Sequence, residues 1–269
     1  MAGIAEQLID RRLGRADHEL KVLYDEVTAF LKGDPFTVSQ QMQLGDEISP
    51  GDDLVCVVKV NKEPELWWSL LASEIIHHLH TTLDNLAWQI ATVHAGSPPK
   101  DTAFPVYLGA TRYRDTWTRN SGYYATRGIP DHAQAIIEDI QPYHRRNKPE
   151  SHPLWVLKRL ANEDKHESSH LFGSSLARID YETTGKGSFQ PTKPKVFDGP
   201  FVDGKVLARW PMPGPPIAGV DTEIQMSASF AFDVAFGEAS PAKGKGVYGM
   251  LKEIRDNVRL VADRLRPFL

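Results

Sequence analysis

Apolar residues recur at loosely helical spacing through residues 3–32, at Ile4, Leu8, Leu13, Leu20, Leu23, Val27 and Leu31, until Gly33, Asp34 and Pro35 stop the run. The period then drops to two. Phe36, Val38, Met42 and Leu44 fall on alternate positions, as do Leu54, Cys56, Val58 and Val60, with turn chemistry at 49–53 between them, so the pattern predicts a hairpin. Helical spacing returns over 65–95 and ends at Gly96, Pro98 and Pro99, while 97–130 shows no strong period. Asp131 is placed to cap a short helix over 132–141, and Pro153 suits the first turn of a helix over 152–168. Strand signals follow. Asp203 and Gly204 occupy the hairpin position of FVDGKVLARW, and every even residue from Ile224 to Phe236 is apolar. Residues 243–265 close the chain as an amphipathic helix. Helices separated by runs of antiparallel strand predict an α+β fold: one domain over 1–269, a helical bundle packed on an antiparallel β-sheet, with long N- and C-terminal helices and an irregular insertion at about 97–130.

Composition narrows the class without naming it. The 269 residues suffice for a buried core, and 41% hydrophobic with 25% charged residues is ordinary for a globular protein. The net charge of −4 gives no global basic signal, and no apolar run approaches the ~18 residues of a membrane span. Cys56, the single cysteine, excludes an internal disulfide and any multi-cysteine zinc site. The N-terminal stretch is amphipathic and carries acids, unlike a signal peptide, which makes a cytoplasmic location the expectation.

Candidate chemistry concentrates in EIIHHLHTTLDNLAW, residues 74–88. On a helical wheel of ~100° per residue, Ile75, Leu79, Leu83, Leu86, Ile90 and Val93 form one stripe. His77, His80 and Asp84 fall together on its flank, whereas His78, Asn85 and Gln89 turn further round and read as solvent-facing. A second stretch, LANEDKHESSH at 160–170, puts Asp164 under the stripe of Leu154, Leu157, Leu160 and Ala161, where a carboxylate needs a partner; Asn162 and His166 lie on the other side. His77, His80, Asp84, Asp164 and His166 are therefore the candidate catalytic residues. Three readings stay open: a hydrogen-bonded network that locks two helices, a single divalent metal held by His77, His80 and Asp84 (or Asp164 or His166), and metal-free acid–base chemistry. Glu74-x-x-His77 and Glu163-x-x-His166 also match the spacing of di-iron carboxylate bundles.

Residues 100–159 hold ten basic side chains against six acidic ones, with Tyr113, Trp117, Tyr123 and Tyr124 interleaved. Arginine with aromatic rings suits phosphates and unpaired bases, so Arg112, Arg114, Trp117, Arg119, Arg145 and Arg146 are candidate nucleic-acid contacts, with RNA or a nucleotide as the partner.

The helix at 74–88, QPYH at 141–144, HPLW at 152–155 and NEDKH at 162–166 together resemble an uncharacterised family of bacterial proteins common in actinobacteria and their phages. The helical part is also similar to HEPN domains, the small bundles of many prokaryotic RNase toxins and defence proteins. Their mark is an arginine followed four to six residues later by a histidine, the first for the scissile phosphate and the second for the 2′-hydroxyl proton. Relatives often carry arginine at the position of His80 and histidine at that of Asn85. This chain departs at both, so the resemblance implies a nucleic-acid-associated protein with weak or lost RNase activity, a setting in phage defence, and a homodimer. Arg146 and His152 form a second match, against which stands a basic loop with a capping histidine.

Overall fold

The computed structural model describes residues 2–43, 53–166, 172–186, 193–197, 199–211, 223–237 and 240–269. Its class is α+β, with antiparallel sheets and a long helix at each end of the chain. In chain order the elements are α1 (Ala2–Lys32), β1 (Phe36–Gln43), β2 (Asp53–Val60), α2 (Trp67–Ala95), α3 (Ala110–Tyr113), α4 (Gly122–Ala125), α5 (Asp131–Asp139) and α6 (Pro153–His166). They continue with β3 (Phe172–Lys186), β4 (Lys195–Val196), β5 (Pro200–Phe201), β6 (Val206–Pro211), β7 (Glu223–Phe236) and α7 (Val247–Leu265).

Four helices, α1, α2, α6 and α7, bury one another's apolar stripes. Ile75, Ile76, Leu79, Leu86 and Ile90 of α2 are fully buried against Leu13, Leu20 and Leu23 of α1, Leu154, Leu157 and Leu160 of α6, and Leu251, Ile254 and Val258 of α7. Trp68 meets Phe30 edge-on at 5.4 Å and His78 faces Glu19, so α1 and α2 run antiparallel. Arg266 pairs with Glu6 and Asp10, and Arg255 with Asp17, which makes α7 antiparallel to α1 as well. Gly96 ends α2 at φ 75°, a left-handed value that glycine adopts without strain.

The strands form two antiparallel sheets, ordered β1-β2-β6-β4 and β5-β3-β7, where the sequence pattern predicts one. Cys56, Ala208 and Trp210 of the first sheet face Ile179, Ala228 and Phe230 of the second. Phe36 packs edge-on against Phe30 (5.9 Å), Phe201 (5.2 Å) and Phe232 (5.0 Å), tying α1 to both sheets. Val55 and Cys56 are both buried although successive strand residues face opposite ways, so β2 is covered on both faces here, and a register shift follows between Cys56 and Val57. Leu44 and most of the turn at 49–53 lie outside the described residues.

Asp203-Gly204 does not join a hairpin. β5 pairs with β3 in one sheet, and β6 pairs with β2 and β4 in the other. The turn is a corner where the chain changes sheets, and it is stitched to β2 instead: the Gly204 N–H donates to Val58 O, and Asp203 Oδ1 accepts from Val60 N at 2.8 Å. Asp131 is the first residue of α5, not its cap; Pro130 precedes it in extended conformation. α7 begins four residues later than the apolar pattern suggests, after Gly246.

Residues 97–130 carry only α3 and α4 and otherwise run irregularly over the bundle, pinned by buried Phe104, Val106, Tyr113 and Ile129. No helix among the described residues is long and apolar enough to cross a membrane.

Candidate functional site

Helix α2 sorts its three clustered histidines by the neighbour on each side. Leu79 is completely buried, α1 covers the flank that carries His78, and α6 with the irregular segment covers the flank that carries His80. His77 lies between them and is exposed. This corrects the wheel, on which His77 shares a flank with His80 and His78 faces water. The apolar stripe marks the most buried direction only; whether a flank is wet depends on where the neighbouring helices stand.

His80 and Asp84 line a cleft of ≈ 540 Å³ closed by residues 103–107, Arg119–Ser121 and α6. His80 Nδ1 lies 3.4 Å from Asp84 Oδ2, an ion-pair distance one helical turn apart. The other oxygen, Asp84 Oδ1, accepts the Phe104 N–H at 3.0 Å. Asp84 thereby holds the imidazole on one side and the irregular segment on the other. Such a carboxylate orients the ring.

Lys158 and Asn162 of α6 and Arg119 of the irregular segment reach the same cleft. Lys158 Nζ donates to Val106 O at 2.9 Å and lies 4.9 Å from the centre of the Tyr107 ring. Burial, reinforced by the charge of Arg112, pushes the Lys158 ammonium below its ordinary pKa. An anion docked beside it would offset that burial cost. Buried Gln141 lines the neighbouring cleft and braces the 105–107 stretch of this one, accepting from Tyr107 N at 3.0 Å and donating to Pro105 O at 2.8 Å. Arg119 has no hydrogen bond or ion pair among the described residues. Sequence patterning counted Lys158 only among the basic residues of 100–159, placed Asn162 on the side of its helix away from Asp164, and assigned no site role to Gln141. Lys158 follows a buried Leu157 on an amphipathic helix and reads there as an ordinary boundary lysine.

On the opposite flank Glu19, 2% exposed, pairs with Arg15 and stands 3.8 Å from His78 Nε2. Burial raises the Glu19 carboxyl above its ordinary pKa; Arg15 opposes the shift, and Glu74 adds to it. Burial, with His77, Arg12 and Arg15 beside it, lowers His78. Glu19 Oε2 and His78 Nδ1 are buried without hydrogen-bond partners among the described residues. Glu74 and His77 line this shallow cleft, so Glu74-x-x-His77 does share one helix face, but the face looks toward α1. Glu163 instead pairs with Arg159 at 3.6 Å within α6.

No group of three or more His, Cys, Asp or Glu side chains among the described residues is gathered closely enough to hold a metal. The trio His77, His80 and Asp84 therefore does not form the ligand set that the wheel suggested, because His77 lines the α1 cleft and the other two line the α6 cleft. Asp164 and His166 belong to α6, but their side chains lie outside the described ones.

The candidate nucleic-acid residues also separate. Arg119 faces the His80 cleft, and Trp117 stands in solvent two residues before it. Arg112 Nε donates to Asn120 O at 3.3 Å across the same loop. Arg114 is engaged by Glu138, whose carboxylate also accepts from the Tyr143 hydroxyl at 3.2 Å. Arg145 lines a different cleft of ≈ 560 Å³ with His144, His152 and residues of α7, and donates to Ser151 O; Arg146 is exposed. His152 Nδ1 accepts the Leu154 N–H at 3.2 Å, so this histidine caps α6, and burial lowers its pKa, followed by the charge of Arg145.

No family model matches the chain, and neither a curated protein nor a solved structure is similar to it.

Proposed function

We propose that this is a HEPN-like, nucleic-acid-associated protein, set in phage defence as its motif resemblance implies. The cleft between α2, α6 and the irregular segment binds RNA phosphates, and the His80–Asp84 pair moves the proton of a ribose 2′-hydroxyl in a slow cleavage. One observation carries this reading: an imidazole beside a carboxylate, a half-buried lysine and an arginine without a partner among the described residues converge on one cleft of nucleotide scale. Phosphate contacts from Lys158 and Arg119 supply affinity, and the imidazole supplies the group that accepts and returns a proton. His80 stands in this reading where relatives often place the phosphate-binding arginine, and Arg119 with Lys158 takes over the cationic role. Asp84 is a positioning residue that acts through His80.

Fluorescence anisotropy with a labelled single-stranded RNA over a salt series tests the binding. Binding of the native protein weakens as salt rises, and the double variant Arg119→Ala, Lys158→Ala lowers the slope of log K against log salt by about 1.4, at roughly 0.7 per lost phosphate contact. A native slope retained in the double variant would remove this cleft as the RNA site.

A further inference from the structure

Trp117 is 92% exposed, the most open large apolar side chain among the described residues. Its backbone is anchored within the loop. Asp115 Oδ1 accepts the Trp117 N–H at 2.8 Å and the Thr118 N–H at 3.3 Å, while Oδ2 accepts the Thr118 hydroxyl at 2.7 Å. Those bonds keep the Asp115 carboxyl below its ordinary pKa and so ionised at neutral pH. Across the loop, Arg112 Nε reaches Asn120 O. Beneath it, Tyr113 is buried, and its ring packs so closely on Gly122 that a Cβ there would lie 2.4 Å from the ring. The loop is thus fastened at its base and on both sides, and it displays an indole that nothing covers.

The surroundings of the ring decide what kind of partner suits it. A tryptophan that anchors a protein interface sits among neighbours that exclude water around it. Here the neighbouring exposed residues are Thr111, Arg112, Arg114, Thr116, Thr118, Arg119 and Asn120, all polar or basic. An exposed aromatic plane on a loop that also carries Arg112, Arg114 and Arg119 matches a polyanion that also carries π faces. The ring also has a fixed relation to the cleft. Arg119 lines the cleft beside His80 and follows Trp117 by two residues, so their backbones are at most ~7 Å apart, the scale of one nucleotide. A base paired inside a duplex keeps its faces stacked on its neighbours; only an unpaired base offers one to the indole.

We propose that Trp117 is a stacking platform for an unpaired base of a single-stranded RNA whose adjoining phosphate lies on Arg119, so that the protein selects single-stranded over duplex RNA. The inference rests on the cleft reading above and adds the residue that sets strand selectivity.

Anisotropy titrations with a fluorescein-labelled single-stranded RNA and with a blunt duplex of the same sequence test it, using the native protein, Trp117→Ala and Trp117→Phe. The native protein favours the single strand. Trp117→Ala loses about tenfold or more of single-strand affinity, keeps its duplex affinity and keeps its salt slope, because no phosphate contact is removed. Trp117→Phe, which retains a stacking face, recovers most of the loss. Because the ring is exposed, urea unfolding of both variants matches the native protein. Single-strand affinity unchanged in Trp117→Ala, or equal losses on both RNAs, would overturn the stacking role. If Trp117→Ala behaves as native while the Arg119, Lys158 double variant loses binding, the stacking role alone falls and the cleft stands. If the native protein binds neither RNA, both readings fall.

Discussion

The two flanks of α2 carry the same ingredients and put them to different use. Each has a histidine beside a carboxylate with cations nearby: His78 with Glu19 and Arg15 on the α1 side, His80 with Asp84, Lys158 and Arg119 on the α6 side. On the α1 side two regular helices close over the pair. Glu19 is buried, its Oε2 and His78 Nδ1 lack partners among the described residues, and burial moves both groups toward their neutral forms. On the α6 side the covering element is an irregular segment. It ends in turns and loops, supplies a backbone N–H to Asp84 and an arginine to the rim, and leaves a cleft open. Two helices in contact leave only a shallow cleft of ≈ 350 Å³; a helix facing a pinned loop leaves a larger one of ≈ 540 Å³.

The largest expected effect separates the flanks by chemistry. His80→Ala should lower single-turnover RNA cleavage by about 10²–10⁴-fold, the usual loss for a general acid–base group, whereas His78→Ala should leave the rate unchanged within a few-fold. Equal losses from the two variants would break the contrast. Leu79, fully buried between the two histidines, holds both flanks in place. Leu79→Ala should therefore cost roughly 2–5 kcal/mol in urea unfolding and impair the His80 cleft and the Glu19 seam together. A loss below about 1 kcal/mol would show that the two flanks do not share this support.

The smallest effect is the share of the pH dependence that comes from the α1 seam. Glu19 has a folded pKa raised above its ordinary 4.5, so the folded state holds more protons than the unfolded one as pH rises from there, and its contribution to stability declines over that window. His78 has a folded pKa lowered below 6.5, so the unfolded state holds more protons below that value, and its contribution grows as pH rises toward 6.5. Urea midpoints measured between about pH 4 and pH 8 should show a weaker declining limb in Glu19→Gln and a weaker rising limb in His78→Gln, the remainder coming from Asp233 and His152. A pH profile identical to that of the native protein in both variants would show that neither group's titration is coupled to folding.

Much of the fold was legible because it rests on local patterns. The period-3.6 stripes of α1, α2, α6 and α7 and the alternation along β7 each report a buried face, and those elements appear close to their expected bounds. The corner at Asp203-Gly204 was not legible as a corner. The dipeptide favours a tight turn in either setting, and which strands pair afterwards depends on distant partners, β2 for one side and β3 for the other. Of the site, His80, Asp84 and Arg119 were marked in advance, because ionisable groups beside an apolar stripe and arginines among aromatics are visible in one dimension. Lys158 was visible only as one basic residue of ten and Asn162 only as a residue on the far side of α6, while Gln141, which braces residues 105–107, carried no sign. Their role comes from contacts such as Lys158 to Val106 and Gln141 to Pro105, across 52 and 36 residues of chain respectively.

The sequence by itself determined that three histidines and an aspartate would sit on one helix, since a 3.6-residue period fixes which side chains share a face. Only the tertiary structure decided that His78 would sit half-buried beside Glu19 of α1, His77 exposed at the rim of that shallow cleft and His80 in a cleft with Lys158 and Arg119. The helical repeat is set by backbone hydrogen bonds within a few residues. The environment of each flank is set by which distant element packs there, and that follows from burying the most apolar area across the whole chain.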